Sequence, residues 1–138
     1  MVNFDVACKV DLQQDQATVL VAEDEVLIRL MIADALRSEG LTVIEASSGD
    51  EALSVLQSAL PIQLLVTDIR MASELDGLAL ARAARVARPG LKLIVASSQQ
   101  AGDEATNLAD AFFTKPYALS ALVERIKSLL KEAQHGGQ

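Results

Sequence analysis

Apolar residues in this chain fall into two textures: short unbroken runs, and longer stretches where they recur three or four positions apart. The runs cover residues 18–22, 41–46, 63–67, 91–96 and 111–114. None alternates cleanly between apolar and polar, so the runs predict strands buried on both faces, with helices above and below. Helical patterns supply those helices over residues 26–39, 51–60, 78–87 and 99–108, the last being the least periodic. A final helix carries one stripe formed by Leu119, Leu122, Val123, Ile126, Leu129 and Leu130. The punctuation agrees. Gly40 is placed for a left-handed cap. Ser48-Gly49-Asp50-Glu51 reads as a capping box opening 51–60, which Pro61 closes. Arg88-Pro89-Gly90 closes 78–87.

Strands that each precede a helix imply right-handed crossovers and a parallel sheet. The predicted fold is therefore α/β: a doubly wound, five-stranded parallel sheet of the flavodoxin-like order 2-1-3-4-5, with five helices. One domain is expected over residues 18–133, after an aperiodic extension at 1–17 and before a frayed tail at 134–138. The length of 138 residues suits one such domain and can bury a core without staples.

Composition narrows the picture further. Hydrophobic residues make up 51% of the chain but aromatics only 3%, so Leu, Val, Ile and Ala must fill the core. A net charge of −7 disfavours a nucleic-acid partner, and no Lys/Arg cluster offsets it. The single Cys8 cannot close an internal disulfide and fits a reducing compartment. No signal peptide is evident, and no apolar run approaches the roughly 20 residues that span a bilayer. A soluble, cytoplasmic protein is expected.

In sheets of this kind, ligands sit at the carboxyl ends of the strands. There the first strand leads into Glu23-Asp24, the third into Asp68, the fourth into Ser97-Ser98 and the fifth into Lys115-Pro116. Crowded carboxylates repel one another until a proton or a cation joins them. Hard oxygen ligands suit Mg²⁺, which keeps waters and accepts phosphate oxygens. A carboxylate can act as a nucleophile toward phosphorus, while a lysine and a hydroxyl neutralise phosphoryl oxygens. Each residue alone has a plainer reading: a solvated acidic turn, a helix cap, a loop proline. Their conjunction, one to each strand end, points to a metal-assisted phosphoryl site.

The segments VLVAEDEVLIR, LLVTDIRM with a following LDG, LIVASS and FFTKPY closely resemble the receiver domain of two-component response regulators, from about Thr18 to Ala133, nearly the whole chain. The resemblance implies that Asp68 accepts the phosphoryl group and, with Asp24 directly, Glu23 through water and the Arg70 backbone carbonyl, holds Mg²⁺ or Mn²⁺. Ser97 would be the switch hydroxyl, Lys115 the phosphoryl-binding lysine, Phe112 the switch aromatic, and Pro116 would follow a cis peptide. Asp68, Lys115 and Ser97 would carry the phosphotransfer chemistry. A histidine kinase or phosphotransfer protein would donate, and a downstream protein would read the signal, without nucleic-acid or membrane contact. The chain would catalyse nothing beyond its own phosphorylation and dephosphorylation. It departs from the family in having Met71-Ala72 instead of Met-Pro, a longer loop through Ser73-Glu74, Phe for Tyr at 112 and Ser for Thr at 97. Arg70 and Gln99 occupy positions that tune hydrolysis in the family.

The chain is expected to work as a stand-alone receiver. The alternatives are a fragment of a hybrid histidine kinase and a phosphate-independent interaction module, the latter disfavoured by the intact acidic, hydroxyl and lysine set. A haloacid-dehalogenase-type phosphatase would want an Asp where Arg70 stands, and a flavin site would want a Ser/Thr/Gly loop after the first strand.

Overall fold

The computed structural model describes residues 17–71, 75–98 and 102–136. Strands β1 (Thr18–Ala22), β2 (Thr42–Ala46), β3 (Leu64–Asp68), β4 (Lys92–Ser97) and β5 (Ala111–Thr114) alternate with five helices. These are α1 (Val26–Ser38), α2 (Gly49–Leu56), α3 (Gly77–Ala87), α4 (Asp103–Leu108) and α5 (Leu119–Gly136). Every pairing is parallel and the order is β2-β1-β3-β4-β5, the predicted topology.

Two cores explain the unbroken apolar runs. Val19 and Val21 of β1 pack with Ile32 and Leu36 of α1 and with Leu122 and Ile126 of α5. Leu20 and Ala22 point the other way, into a core shared with Leu56 of α2 and Leu80 of α3. On β3, Leu64 and Val66 oppose Leu65; on β4, Ile94 opposes Leu93 and Val95. The side-chain period of two persists, but both phases are apolar because both faces are covered. The edge strands β2 and β5 are less buried.

Most element ends follow local chemistry. Gly40 takes φ 87°. Its N–H bonds to the Arg37 carbonyl at 3.0 Å while Leu41 N–H reaches Leu36 at 3.2 Å, a Schellman closure. Helix α2 starts at Gly49, earlier than expected, because the Ser48 hydroxyl caps the N–H of Glu51 at 3.1 Å. The Glu51 carboxylate reaches back to the N–H of Ser47 at 2.6 Å, so the expected capping box is one residue wider. The same helix stops at Leu56, short of residue 60. Ser58 Oγ donates to the Val55 carbonyl at 2.6 Å and accepts from Leu60 N–H at 3.2 Å, which competes with helical bonding. Pro61 then biases Leu60 away from helix. Helix α5 runs on through Gly136, so residues 134–136 are helical and not tail. Residues 1–16 of the predicted extension, with Cys8, lie outside the described residues, as do 99–101 of the fourth predicted helix and 137–138 of the tail. Among the described residues no helix is long and apolar enough to cross a membrane.

Helix α4 is six residues long and buries only Ala105. Polar links from α3 hold it. Arg82 pairs with Glu104 at 2.7 Å. Arg85 donates to the carbonyls of Leu108, at 2.7 Å from Nη2, and Leu91, and pairs with Asp110 at 2.8 Å.

Gly77, the first residue of α3, donates its N–H to the Ile69 carbonyl at 2.8 Å. A Cβ at Gly77 would lie inside 3.0 Å of the backbone of Asp68 and Ile69. Gly77→Ala is therefore expected to lower unfolding free energy by about 1–3 kcal/mol in urea titrations. At Gly90 a Cβ meets nothing within 4 Å, and Gly90→Ala should stay within about 1 kcal/mol of wild type. Equal losses at both positions would refute the close-approach argument.

Candidate functional site

A parallel sheet puts all its strand carboxyl ends on one edge. Asp68 closes β3, Ser97 closes β4, and Glu23-Asp24 follow β1 directly. Beyond β5, the Lys115 N–H bonds to the Ser97 carbonyl at 2.8 Å, which extends the ladder and fixes the root of the lysine. The Lys115–Pro116 peptide is cis.

Lys115 Nζ donates to Asp68 Oδ2 at 2.7 Å and to Glu23 Oε1 at 3.3 Å. The side chains are nearly closed to water, at 19% exposure for Lys115, 11% for Asp68 and 4% for Glu23. Asp68 Oδ1 accepts from Arg70 N–H at 3.2 Å. Thr67, fully buried, donates its hydroxyl to the Asp68 carbonyl at 2.9 Å. Glu23 is engaged on every side. Its N–H meets the Ala46 carbonyl at 3.0 Å. Its Oε2 accepts from Glu25 N–H at 3.1 Å, and its carbonyl accepts from Arg29 Nη1 at 2.9 Å.

Burial lifts the Glu23 pKa above the ordinary carboxylate value, against the lowering pull of Glu25 N–H and Lys115, and the Asp68 charge adds to the rise. For Lys115 burial disfavours the ammonium. The hydrogen bond to Asp68 and the charges of Glu23 and Asp68 outweigh it, so its pKa is raised. Burial also raises the Tyr117 hydroxyl, with Lys115 opposing. The Tyr117 ring meets Phe113 edge-on at 5.6 Å.

The predicted residues thus have definite places. Glu23, Asp68 and Lys115 are in direct contact. Asp24 is half-buried beside Glu23, and Ser97 is buried opposite Thr114 in the ladder. Arg70 is exposed. Phe112 pairs with Val95 and packs against the α2–α3 core, whereas Phe113 faces the α1–α5 core. Ala72, Ser73, Glu74 and Gln99 lie outside the described residues.

Among the described residues no three His, Cys, Asp or Glu side chains form a ready-made cation cage. Glu23 and Asp68 meet the lysine instead. The donor chemistry still fits Mg²⁺: the buried Glu23 and the half-buried Asp68 share one ammonium, with Asp24 adjacent to Glu23 in the chain. Mg²⁺ needs only one or two carboxylates and completes its shell with water and phosphate oxygens. Sequence reasoning passed over Arg29 and the reason for Gly77. The available signals were an arginine close to the start of a helix and a glycine just after a cap residue, Asp76, whose carboxylate accepts from Ala79 N–H at 2.9 Å.

Comparison with known proteins identifies the family and the fold. A family model described as the response regulator receiver domain matches residues 19–127. The sensor kinase CckA of Brucella abortus is 39% identical over 121 residues, which is 84% of this chain and 13% of that protein. Against other curated relatives, transcriptional regulators and response regulators, the chain spans about half their length. A CheY-like receiver domain protein from Methanospirillum hungatei superposes with a TM-score of 0.81 at 26% identity, covering 88% of this chain and 98% of that one. Response regulator TrrA of Thermotoga maritima, solved in complex with Mg²⁺-BeF, superposes with a TM-score of 0.74 at 27% identity, covering 83% and 99%. The chain belongs to the response regulator receiver domain family, the phosphoryl-accepting signalling switches of two-component systems.

Proposed function

We propose that Asp68 is the phosphoacceptor of this switch and that a phosphohistidine on a histidine kinase or phosphotransfer protein is the donor. The observation that carries this reading is the Lys115 ammonium shared between Asp68 and Glu23 at a closed strand edge. An Asp68 carboxylate oxygen attacks phosphorus as the P–N bond to the imidazole breaks, and the acyl phosphate remains on Asp68. Glu23, Asp24, Asp68 and the Arg70 carbonyl would hold Mg²⁺ or Mn²⁺, which when bound neutralises charge on the transferring oxygens. Lys115 moves its hydrogen bond from the carboxylate to a phosphoryl oxygen, and Ser97 takes another. Phe112 then follows Ser97 inward on the α3–α4 side. Reversing a 1:99 population this way requires a preference of roughly 5.5 kcal/mol. The chemistry begins and ends on Asp68, so the protein signals through a downstream partner and turns over no external substrate, in the cytoplasm.

The donor's docking face is written in α1. Val26, Leu27, Leu30 and Met31 are exposed, Leu27 by 76%. Beside them a groove of about 390 Å³ is lined by Ile28, Met31, Pro116, Tyr117, Leu119 and Lys115. Lys115 belongs to both groove and site, so a protein seated on α1 brings its phosphohistidine over Asp68.

Acetyl phosphate with Mg²⁺ should label the wild type, and Asp68→Asn should abolish labelling while the fold is kept; undiminished labelling would move the acceptor elsewhere. Lys115→Ala should still bind Mg²⁺ but lose the structural response to phosphorylation, read by amide chemical shifts around Phe112; an intact response refutes the role of Lys115. Leu27→Glu should slow labelling by a protein donor about tenfold or more, as loss of an apolar anchor does. It should leave labelling by acetyl phosphate alone, and equal rates from the protein donor would place docking elsewhere.

A further inference from the structure

Arg29 sits one turn into α1, behind the acidic run Glu23-Asp24-Glu25 that precedes the helix. Its side chain is only 14% exposed. A cation so little exposed needs strong acceptors, and Arg29 has two. Nε donates to Glu45 Oε1 of β2 at 3.2 Å, and Nη1 donates to the Glu23 carbonyl at 2.9 Å. The Glu45 contact alone would tie helix to sheet. The second contact reaches the site, because that carbonyl belongs to the peptide joining Glu23 to Asp24.

A peptide unit is planar, so holding its carbonyl holds the plane and the direction in which Asp24 leaves it. Across Glu23, the N–H is held by Ala46 of β2 at 3.0 Å. The backbone that carries both acidic side chains is thereby gripped from two directions. Only a guanidinium can serve both acceptors in one plane. Arg37 holds the other Glu45 oxygen at 3.1 Å, so Glu45 keeps an anchor of its own.

We propose that Arg29, oriented by Glu45, is a positioning residue for the cation site: it fixes the Glu23–Asp24 peptide and so aims the carboxylates that receive the ion. The inference rests on the role proposed above for Glu23 and Asp24. Residues that orient metal ligands from behind change metal affinity by about 10–100-fold when removed.

The test is calorimetric titration of the full chain with Mg²⁺ for wild type, Arg29→Ala, Arg29→Lys and Glu45→Gln. Urea unfolding in EDTA and acetyl phosphate labelling across Mg²⁺ concentrations accompany it. Arg29→Ala should weaken Mg²⁺ binding about tenfold or more and regain its labelling rate at saturating Mg²⁺. Arg29→Lys should recover part of the affinity, and Glu45→Gln should lose less than Arg29→Ala. Wild-type Mg²⁺ affinity in variants that merely unfold earlier would make Arg29 a structural tie and overturn the proposal. Should Arg29→Ala fail to fold, wild-type affinity in both Arg29→Lys and Glu45→Gln overturns it equally. A wild-type chain that binds no Mg²⁺ would overturn the functional reading itself, and this inference with it.

Discussion

Lys115 reaches across the carboxyl edge of the sheet to Asp68 and Glu23, residues that arrive from β3 and β1. Two carboxylates this close repel, and burial makes each charge costly on its own. The ammonium resolves both problems while leaving net negative charge in the site. That residue of charge, beside Asp24, is what a divalent ion or the electrophilic end of a phosphodonor would answer. A site held by one movable lysine is stable before phosphorylation and can be rewired by it.

The scaffold serves this contact by making strand ends converge. Because β1, β3 and β4 are buried on both faces, their register is set by two apolar cores at once, and a one-residue slip would exchange the side chains of both. The positions that follow the strands inherit that accuracy. Glu23, Asp68 and Ser97 need no loop of their own to be placed. Lys115 is fixed by a backbone bond to the end of the neighbouring strand.

Much of this was legible beforehand. Five short apolar runs pointed to strands in a covered sheet, which holds for β1, β3 and β4 and less for the edge strands β2 and β5, and the rule that ligands sit at strand carboxyl ends picked out Glu23, Asp68 and Lys115 for search. Boundaries were less legible, since a single serine hydroxyl at Ser58 ended α2 before its proline did. Arg29 was visible only as an arginine near a helix start, and its role was not. Its meaning depends on Glu45 lying beside Val21 in the β1–β2 ladder, a relation between distant residues that no local pattern encodes. Gly77 was visible as a letter in a motif, but its reason, the backbone of Asp68 and Ile69 pressed against its α-carbon, exists only in three dimensions.

Helix α4 contrasts with all of this. Among the described residues it is held by a pair of arginines from α3, one buried alanine and Leu108, which packs on the α2–α3 core. Little apolar surface would be uncovered if it left its seat, so its opening is energetically separable from that of the sheet. The charges that seat it are screened by salt in a way the cores are not. The ionic strength of the surroundings thus acts on this corner of the molecule more than on the apolar cores beneath it, and that corner adjoins Phe112.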